Sequence, residues 1–357
     1  MQTGPATSGG GRDLRSLPKA HLHLHFTGSM RPSTVIDLAT RHGLRLPTTL
    51  AEGFRGDLNL SLSPDVRGWF RFQRLYDAAR TVVRCEADLR RVVREAAEDD
   101  AAEGSRWLEL QIDPTSYAPF VGGITPVVEI VLDEAATASA RTGTGVGIII
   151  AASRIRHPLD ARTLARLAAR YAGQGPGTVL GFGLSNDERR GWTADFAPAF
   201  TIARNAGLAL VPHGGELLGP DHVSFALDWL GPDRLGHGIR SSEDPEVLKR
   251  VVDLGVALEV CPASNVALGV YPDLAAVPLH RLIDAGAQVA LGADDPLLFG
   301  HRLLDQYVSA RVDHGFDDQQ LAELARSSVL ASRAPDPVKA QLAAEIATWS
   351  GAPDRAR

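Results

Sequence analysis

The stretch PKAHLHLHFTGS, Pro18 to Ser29, sets His21, His23 and His25 at alternate positions with Leu22, Leu24 and Phe26 between them. Successive side chains of a β-strand point to opposite faces. One face of this strand is therefore all imidazole and the other all apolar. A half-buried strand ordinarily uses Ser, Thr, Lys or Glu on its polar side, so three histidines there read as ligands. Two residues at i and i+2 stand roughly 7 Å apart at their Cα atoms, close enough for their rings to converge on a cation above them. His23 and His25 fill that role, and His21, one step lower, is left outside the ligand set.

Short apolar runs recur along the rest of the chain. Candidate strands are His21–His25, Arg106–Ile112, Val146–Ala151, Thr178–Gly183, Leu208–His213, Arg234–His237, Val256–Val260 and Gln288–Ala293. Helical patterns lie between them, most clearly Ala87–Glu103, and also Thr163–Tyr171 and Pro245–Leu254. Eight buried strands alternating with helices predict an α/β fold, a (β/α)8 TIM-type barrel, with a doubly wound open sheet as its rival. The long connection Thr27–Arg84 predicts a helical insertion after the first strand, with helices at Pro32–Arg41 and Trp69–Arg80 covering one barrel end. Residues 1–15, rich in Gly, Thr and Ser, read as a disordered tail. Residues 16–350 read as a single hydrolase domain.

The reactive residues gather at the strands' C-terminal ends. His213 closes the fifth strand (VPHGGE), His237 the sixth (RLGHG), Glu259 and Cys261 the seventh (EVCPASN), and Asp294 and Asp295 follow the eighth (ADDP). In a (β/α)8 barrel these ends share one face, where active sites lie. Imidazole and carboxylate suit Zn²⁺, and His23, His25, His213 and Asp294 can reach one ion from strands 1, 5 and 8. Glu216, three residues after His213, reads as an acid–base group, and Asp295 as a second site carboxylate. Cys261 is more simply a buried thiol than a nucleophile.

Composition narrows the function. The chain has 357 residues, 37 Lys and Arg against 43 Asp and Glu, and a net charge of −6. Nothing there invites nucleic acid or an anionic membrane as a partner. Two cysteines, Cys85 and Cys261, make no disulfide framework and suit a reducing, cytoplasmic setting. No apolar run has the length of a membrane span, and the first residues lack the apolar stretch of a secretory signal. Gly143–Gly147 precedes its strand, so it cannot be a dinucleotide fingerprint. No phosphate loop ending in Gly-Lys-Ser/Thr and no GxSxG elbow occurs.

Six motifs, PKAHLHLHFTGS, GFGLSNDE, VPHGGE, RLGHG, EVCPASN and ADDP, occur in an order and spacing that resemble the adenosine deaminase family of the amidohydrolase superfamily, from about Leu17 to Asp305. The resemblance implies one Zn²⁺ per chain on His23, His25, His213 and Asp294. It makes Glu216 the proton donor to the purine and His237 the group that orients water and takes its proton. Asp295 hydrogen-bonds the purine and helps hold the water. Thr27, Ser185 and Asn186 join Asp295 as substrate contacts. The expected reaction turns the 6-amino group of an adenine nucleoside into a 6-oxo group and releases ammonia. The HxE…PCxxC signature of the other zinc-dependent base deaminases is missing.

Five positions depart from the family pattern. Thr27 replaces the Asp that meets the ribose 5′-hydroxyl, Asn186 a Gly, Gly183 an Asp, Gln111 an Arg and His21 an acidic residue. None is a ligand or proton-transfer group, and all bear on the pocket or its supports. Thr27 is expected to open room near the ribose 5′ end. That points to a 5′-modified adenosine such as an aminodeoxyfutalosine-like compound, with adenosine and free adenine as alternatives. Two other readings are a binuclear hydrolase and a non-catalytic nucleoside binder. The first generally needs a bridging carboxylated Lys or a carboxylate on a middle strand, and no Lys is seen at a strand end: Lys19 precedes the first strand and Lys249 lies in a helix. The second would have no use for a full set of acid–base groups.

Overall fold

In the first strand His25 pairs in register with the cavity-lining Gln111, while a register shift between His21 and Leu24 sets His21 level with Leu108, on the helix side. Leu22 and Leu24 are wholly buried; His23 and His25 meet polar partners inside the barrel, and His21 meets a carboxylate on a surrounding helix. The structure, a computed structural model, describes residues 11–54, 58 and 60–351.

Eight parallel strands follow one another around the sheet in chain order: β1 Lys19–His25, β2 Ser105–Ile112, β3 Gly145–Ser153, β4 Val179–Ser185, β5 Ala209–Gly214, β6 Arg234–His237, β7 Ala257–Val260 and β8 Val289–Leu291. The ring closes just past β8. The His25 N–H donates to the Asp294 carbonyl, and the Asp294 N–H donates to that of His23, each at 3.0 Å. A doubly wound sheet would reverse its strand order, so sequential order with closure identifies a (β/α)8 barrel. The helices expected between strands are present at Glu86–Ala102, Pro158–Arg170 and Pro245–Asp253.

Strand β1 starts two residues before its expected position because Lys19 is held in the barrel's base. Its wholly buried ammonium donates to the carbonyls of Leu14, Leu17 and Glu103 at 2.7–2.9 Å. Residues 12–15 therefore belong to the packed chain: Leu14 is buried and Arg12 lies 3.7 Å from Asp318. The rest of the expected tail, residues 1–10, lies outside the described residues.

The insertion after β1 carries helices at Pro32–Arg41, Thr48–Gly53 and Val66–Arg80. The last starts cleanly because the Asp65 carboxylate accepts from the N–H groups of Arg67 and Gly68, each at 2.9 Å. Phe72 stacks on Phe299 (centroids 5.3 Å apart, planes at 11°), pinning this helix to the loop beyond β8. Trp69, Phe72 and Tyr76 share its inward stripe and roof the C-terminal end of the barrel.

His21 takes a structural place. Its Nδ1 donates to the buried Asp100 carboxylate (3.0 and 3.1 Å), and its Nε2 accepts from the Ala293 N–H at 3.0 Å. One ring thus joins β1, the helix Glu86–Ala102 and the end of β8, directly beneath the histidines above it. His21→Leu strands Asp100 in the interior, and breaking such a pair costs about 3 kcal/mol. Urea unfolding should show a loss of that size; a loss under about 1 kcal/mol would deny His21 this role.

Candidate active site

Strand β1 aims His23 and His25 at the barrel mouth, β5 delivers His213, and the segment after β8 delivers Asp294. Their donor atoms crowd together. His25 Nε2 lies 3.2 Å from both His213 Nε2 and Asp294 Oδ1, and His23 Nε2 lies 3.7 Å from Asp294 Oδ1. Ring centroids of the three histidines stand 4.7–5.2 Å apart. Gly236 makes this possible: a Cβ there would meet His23 and His213 at about 3 Å.

The cluster is suited to a divalent cation. His23 donates from Nδ1 to Glu259 Oε2 at 2.8 Å, which leaves Nε2 buried, without a partner and facing the other donors. This is the imidazole–carboxylate pairing that orients metal-bound histidines. Burial opposes charge on His23, yet the nearby Asp294 carboxylate and the hydrogen bond to Glu259 outweigh it and hold the ring up at about 10. The carboxylates therefore favour positive charge at this point, the preference that also draws a cation. Burial, then the nearby His23 and His25, keeps His213 well below its usual range, so its lone pair is free. Ser264 Oγ donates to Asp294 Oδ2 and fixes that carboxylate.

Glu259 is itself braced from below. Its other oxygen accepts from Arg234 Nε at 2.6 Å, and Arg234 also pairs with Glu109. Glu109 accepts from Trp107 Nε1 at 3.0 Å and from the Arg333 N–H. These buried charges are thus paired and hydrogen-bonded throughout. Lys19 stands at the opposite end of β1 from the cluster, and no described strand ends in a lysine, so the structure holds no bridging Lys for a binuclear centre.

Glu216, His237 and Asp295 stand around the cluster. His237 Nε2 lies 3.7 Å from Glu216 Oε1 and 3.8 Å from Asp294 Oδ2, and neither of its ring nitrogens has a hydrogen-bond partner. Burial pulls the imidazole down to about 3 and keeps it neutral. Burial, then the charges of Asp294 and Glu188, pushes the Glu216 carboxyl well above the usual range. Burial and Asp294 do the same to Asp295. Asp294 moves the other way: the imidazoles of His23 and His25 beside it overcome burial and hold it well below its usual range. The carboxyl groups here are thus pushed in opposite directions, Glu216 and Asp295 toward the neutral form and Asp294 toward the ionised one. Burial, with Asp294 next, raises the Cys261 thiol well above its usual range, which fits an inert thiol.

Among the described residues, three other than glycine have left-handed backbones: Asn186 (φ 81°), His237 (φ 62°) and Asp294 (φ 61°). All lie at this site. Asn tolerates that region better than other side chains, so Asn186 preserves the turn a glycine would make, and its Oδ1 accepts from the Asp187 N–H.

Thr27, Ser185, Asn186, Glu216, Asp294 and Asp295 all line one cavity of about 70 Å³. His23 and His237 lie beneath it, buried. The Thr27 hydroxyl hydrogen-bonds the Tyr117 phenol at 2.6 Å, and both residues line the cavity. Sequence reading missed Tyr117 and the roof aromatics, whose helical spacing is also that of ordinary core. Gln111 lies in the cavity floor beside Gly183, with both amide atoms buried and unpartnered. A separate trio, His42, Cys85 and Asp88, also brings donor atoms together, but Asp88 is already taken up by His42, Arg41 and the Arg84 N–H.

A barrel of this kind, with three histidines and several carboxyls crowded at its C-terminal rim, has the make-up of a metal-assisted hydrolase. The chain belongs to the adenosine deaminase family, whose model matches residues 18–349, and it is a hydrolytic deaminase. A putative adenosine/adenine deaminase of Streptomyces coelicolor is 60% identical over 95% of this chain and 98% of its own length. An adenine deaminase of Rhizobium johnstonii is 33% identical over 92% and 99%. The crystal structure of adenine deaminase from Arthrobacter aurescens superposes with a TM-score of 0.85 at 32% identity, covering 94% of this chain and 99% of the other.

Proposed function

We propose that the chain hydrolyses the 6-amino group of an adenine-type small molecule, using one Zn²⁺ held by His23, His25, His213 and Asp294. One observation carries this reading: the ligand-type side chains of His23, His25, His213 and Asp294 crowd together at one cavity, with Glu216, His237 and Asp295 beside them. When bound, the metal supplies the acidity that makes water a nucleophile near neutral pH. His237, neutral, orients that water and takes its proton. Glu216, protonated, gives a proton to the ring nitrogen beside C6 as attack loads charge into the ring. Asp295 donates to the purine's other edge and helps hold the water. Ser185 and Asn186 wall the base. A cytoplasmic setting, consistent with the free Cys85 and Cys261, belongs to the same reading.

Within this class we place free adenine ahead of adenosine and its 5′-modified forms. The Thr27 hydroxyl is engaged by Tyr117 rather than left to meet a ribose 5′ end, and relatives named adenine deaminases support the choice. Ammonia release should be compared for adenine, adenosine and 5′-substituted adenosines. Adenine should win in kcat/KM by about 100-fold, a ratio within reach of pocket shape and unpaired polar groups. Preference for any nucleoside would reverse the substrate order. No ammonia from any 6-aminopurine with metal-loaded protein would leave the non-catalytic binder standing.

A further inference from the structure

Glu188 touches no part of the cavity, yet it grips the segment that carries Glu216. It is 1% exposed and follows the end of β4. Its two carboxylate oxygens accept from four consecutive backbone N–H groups: Gly215 at 2.6 Å, Glu216 at 3.2 Å, Leu217 at 2.8 Å and Leu218 at 2.8 Å. Those amides have no partner in a helix, since the next helix begins only at Pro220. A run of backbone N–H groups closing on one anion is a nest, and here the anion is the protein's own.

The other side of the same segment is held from β3. Arg154, also buried, donates from one guanidinium nitrogen to the His213 carbonyl at 2.7 Å and from the other to Thr193 Oγ1 at 3.1 Å. Gly215, at φ 72°, folds the chain sharply between the two grips, and a Cβ there would strike Val223 at 2.5 Å. The turn from His213 to Leu218 is thus tied at its carbonyl end by Arg154 and along its amides by Glu188. Little else fixes where the Glu216 carboxyl sits, because that side chain makes only the 3.7 Å approach to His237.

We propose that Glu188 is a positioning residue for the deamination reaction: by filling the nest of residues 215–218 it sets the Glu216 carboxyl at proton-transfer distance from the purine. This rests on the reading of Glu216 as the proton donor. A misplacement of about 1 Å at a reacting group costs on the order of 100-fold in rate. An amide is the wrong occupant for the nest, since its NH2 would face N–H donors.

The test is Glu188→Gln in the metal-loaded enzyme, beside Glu188→Asp and Glu216→Gln. Glu188→Gln should lower kcat about 100-fold while KM stays within threefold and metal content is unchanged. Glu188→Asp, which keeps the charge on a shorter arm, should recover part of the loss. Amide hydrogen exchange over residues 215–218 should be slow in the native enzyme and faster in Glu188→Gln. A folded, metal-replete Glu188→Gln with native kcat overturns the proposal. So does a kcat loss matched by metal loss. Should the variant fail to fold, fast exchange of the same amides in the native enzyme overturns it instead. An active Glu216→Gln would instead remove the underlying assignment of the proton donor; a dead Glu216→Gln beside an unaffected Glu188→Gln removes only the role of Glu188.

Discussion

Glu216→Gln is expected to keep its metal and lose about three orders of magnitude in kcat. The substitution preserves shape and the neutral state in which the carboxyl is held, but an amide has no acidic proton to give. General acid catalysis contributes roughly 10² to 10⁴-fold, and of Glu216 and Asp294, which lie 3.7 and 3.8 Å from His237, Asp294 is the one held below its usual range. The pH dependence should change as well. Burial and the charges of Asp294 and Glu188 raise this carboxyl above its usual range, so it is protonated below that raised value and activity falls as pH climbs through it. In the Gln variant that alkaline limb should vanish. Steady-state kinetics with metal analysis checks both points. Native turnover in the variant, or an unchanged alkaline limb, removes Glu216 from the proton-transfer role.

His213→Ala is expected to lose metal as well as turnover. His213 Nε2 lies 3.2 Å from His25 Nε2, and it is the one donor that β5 contributes to the cluster. Removing even a hydrogen-bond partner of a metal ligand typically costs 10 to 100-fold in affinity, so deleting a ligand should cost at least about 100-fold. After dialysis the variant should carry well under one ion per chain, and added Zn²⁺ should restore occupancy before it restores rate. Full stoichiometry after dialysis would take His213 out of the ligand set.

Much of this site was legible in the sequence because it lies on strands. A period of two fixes which face a residue occupies, and the direction of parallel strands fixes which end. His23, His25, His213, His237 and Asp294 could therefore be gathered at one rim before any coordinates were known. What stayed hidden depends on contacts between distant segments. His21 has the same period as its neighbours, but its partner Asp100 lies 79 residues away on a helix. Thr27 looks like a smaller residue leaving space, and only the fold brings Tyr117 from beyond β2 to hydrogen-bond its hydroxyl. Glu188 sits in a recognisable motif, GFGLSNDE, yet its four N–H partners belong to the loop after β5, brought alongside only when the barrel forms. The expected tail reached too far because Leu14 and Lys19 are buried by packing at the barrel's base, which composition does not record.

The left-handed backbones at His237 and Asp294 set durability against work. For side chains other than glycine that conformation costs about 1–2 kcal/mol per residue, a large share of a margin usually near 5–15 kcal/mol. Glycine at either position would relax the main chain while deleting a group the proposed reaction needs. Screens that select this enzyme for heat tolerance alone will therefore be drawn toward sturdier, idle variants, and these two positions should be held constant in any such library.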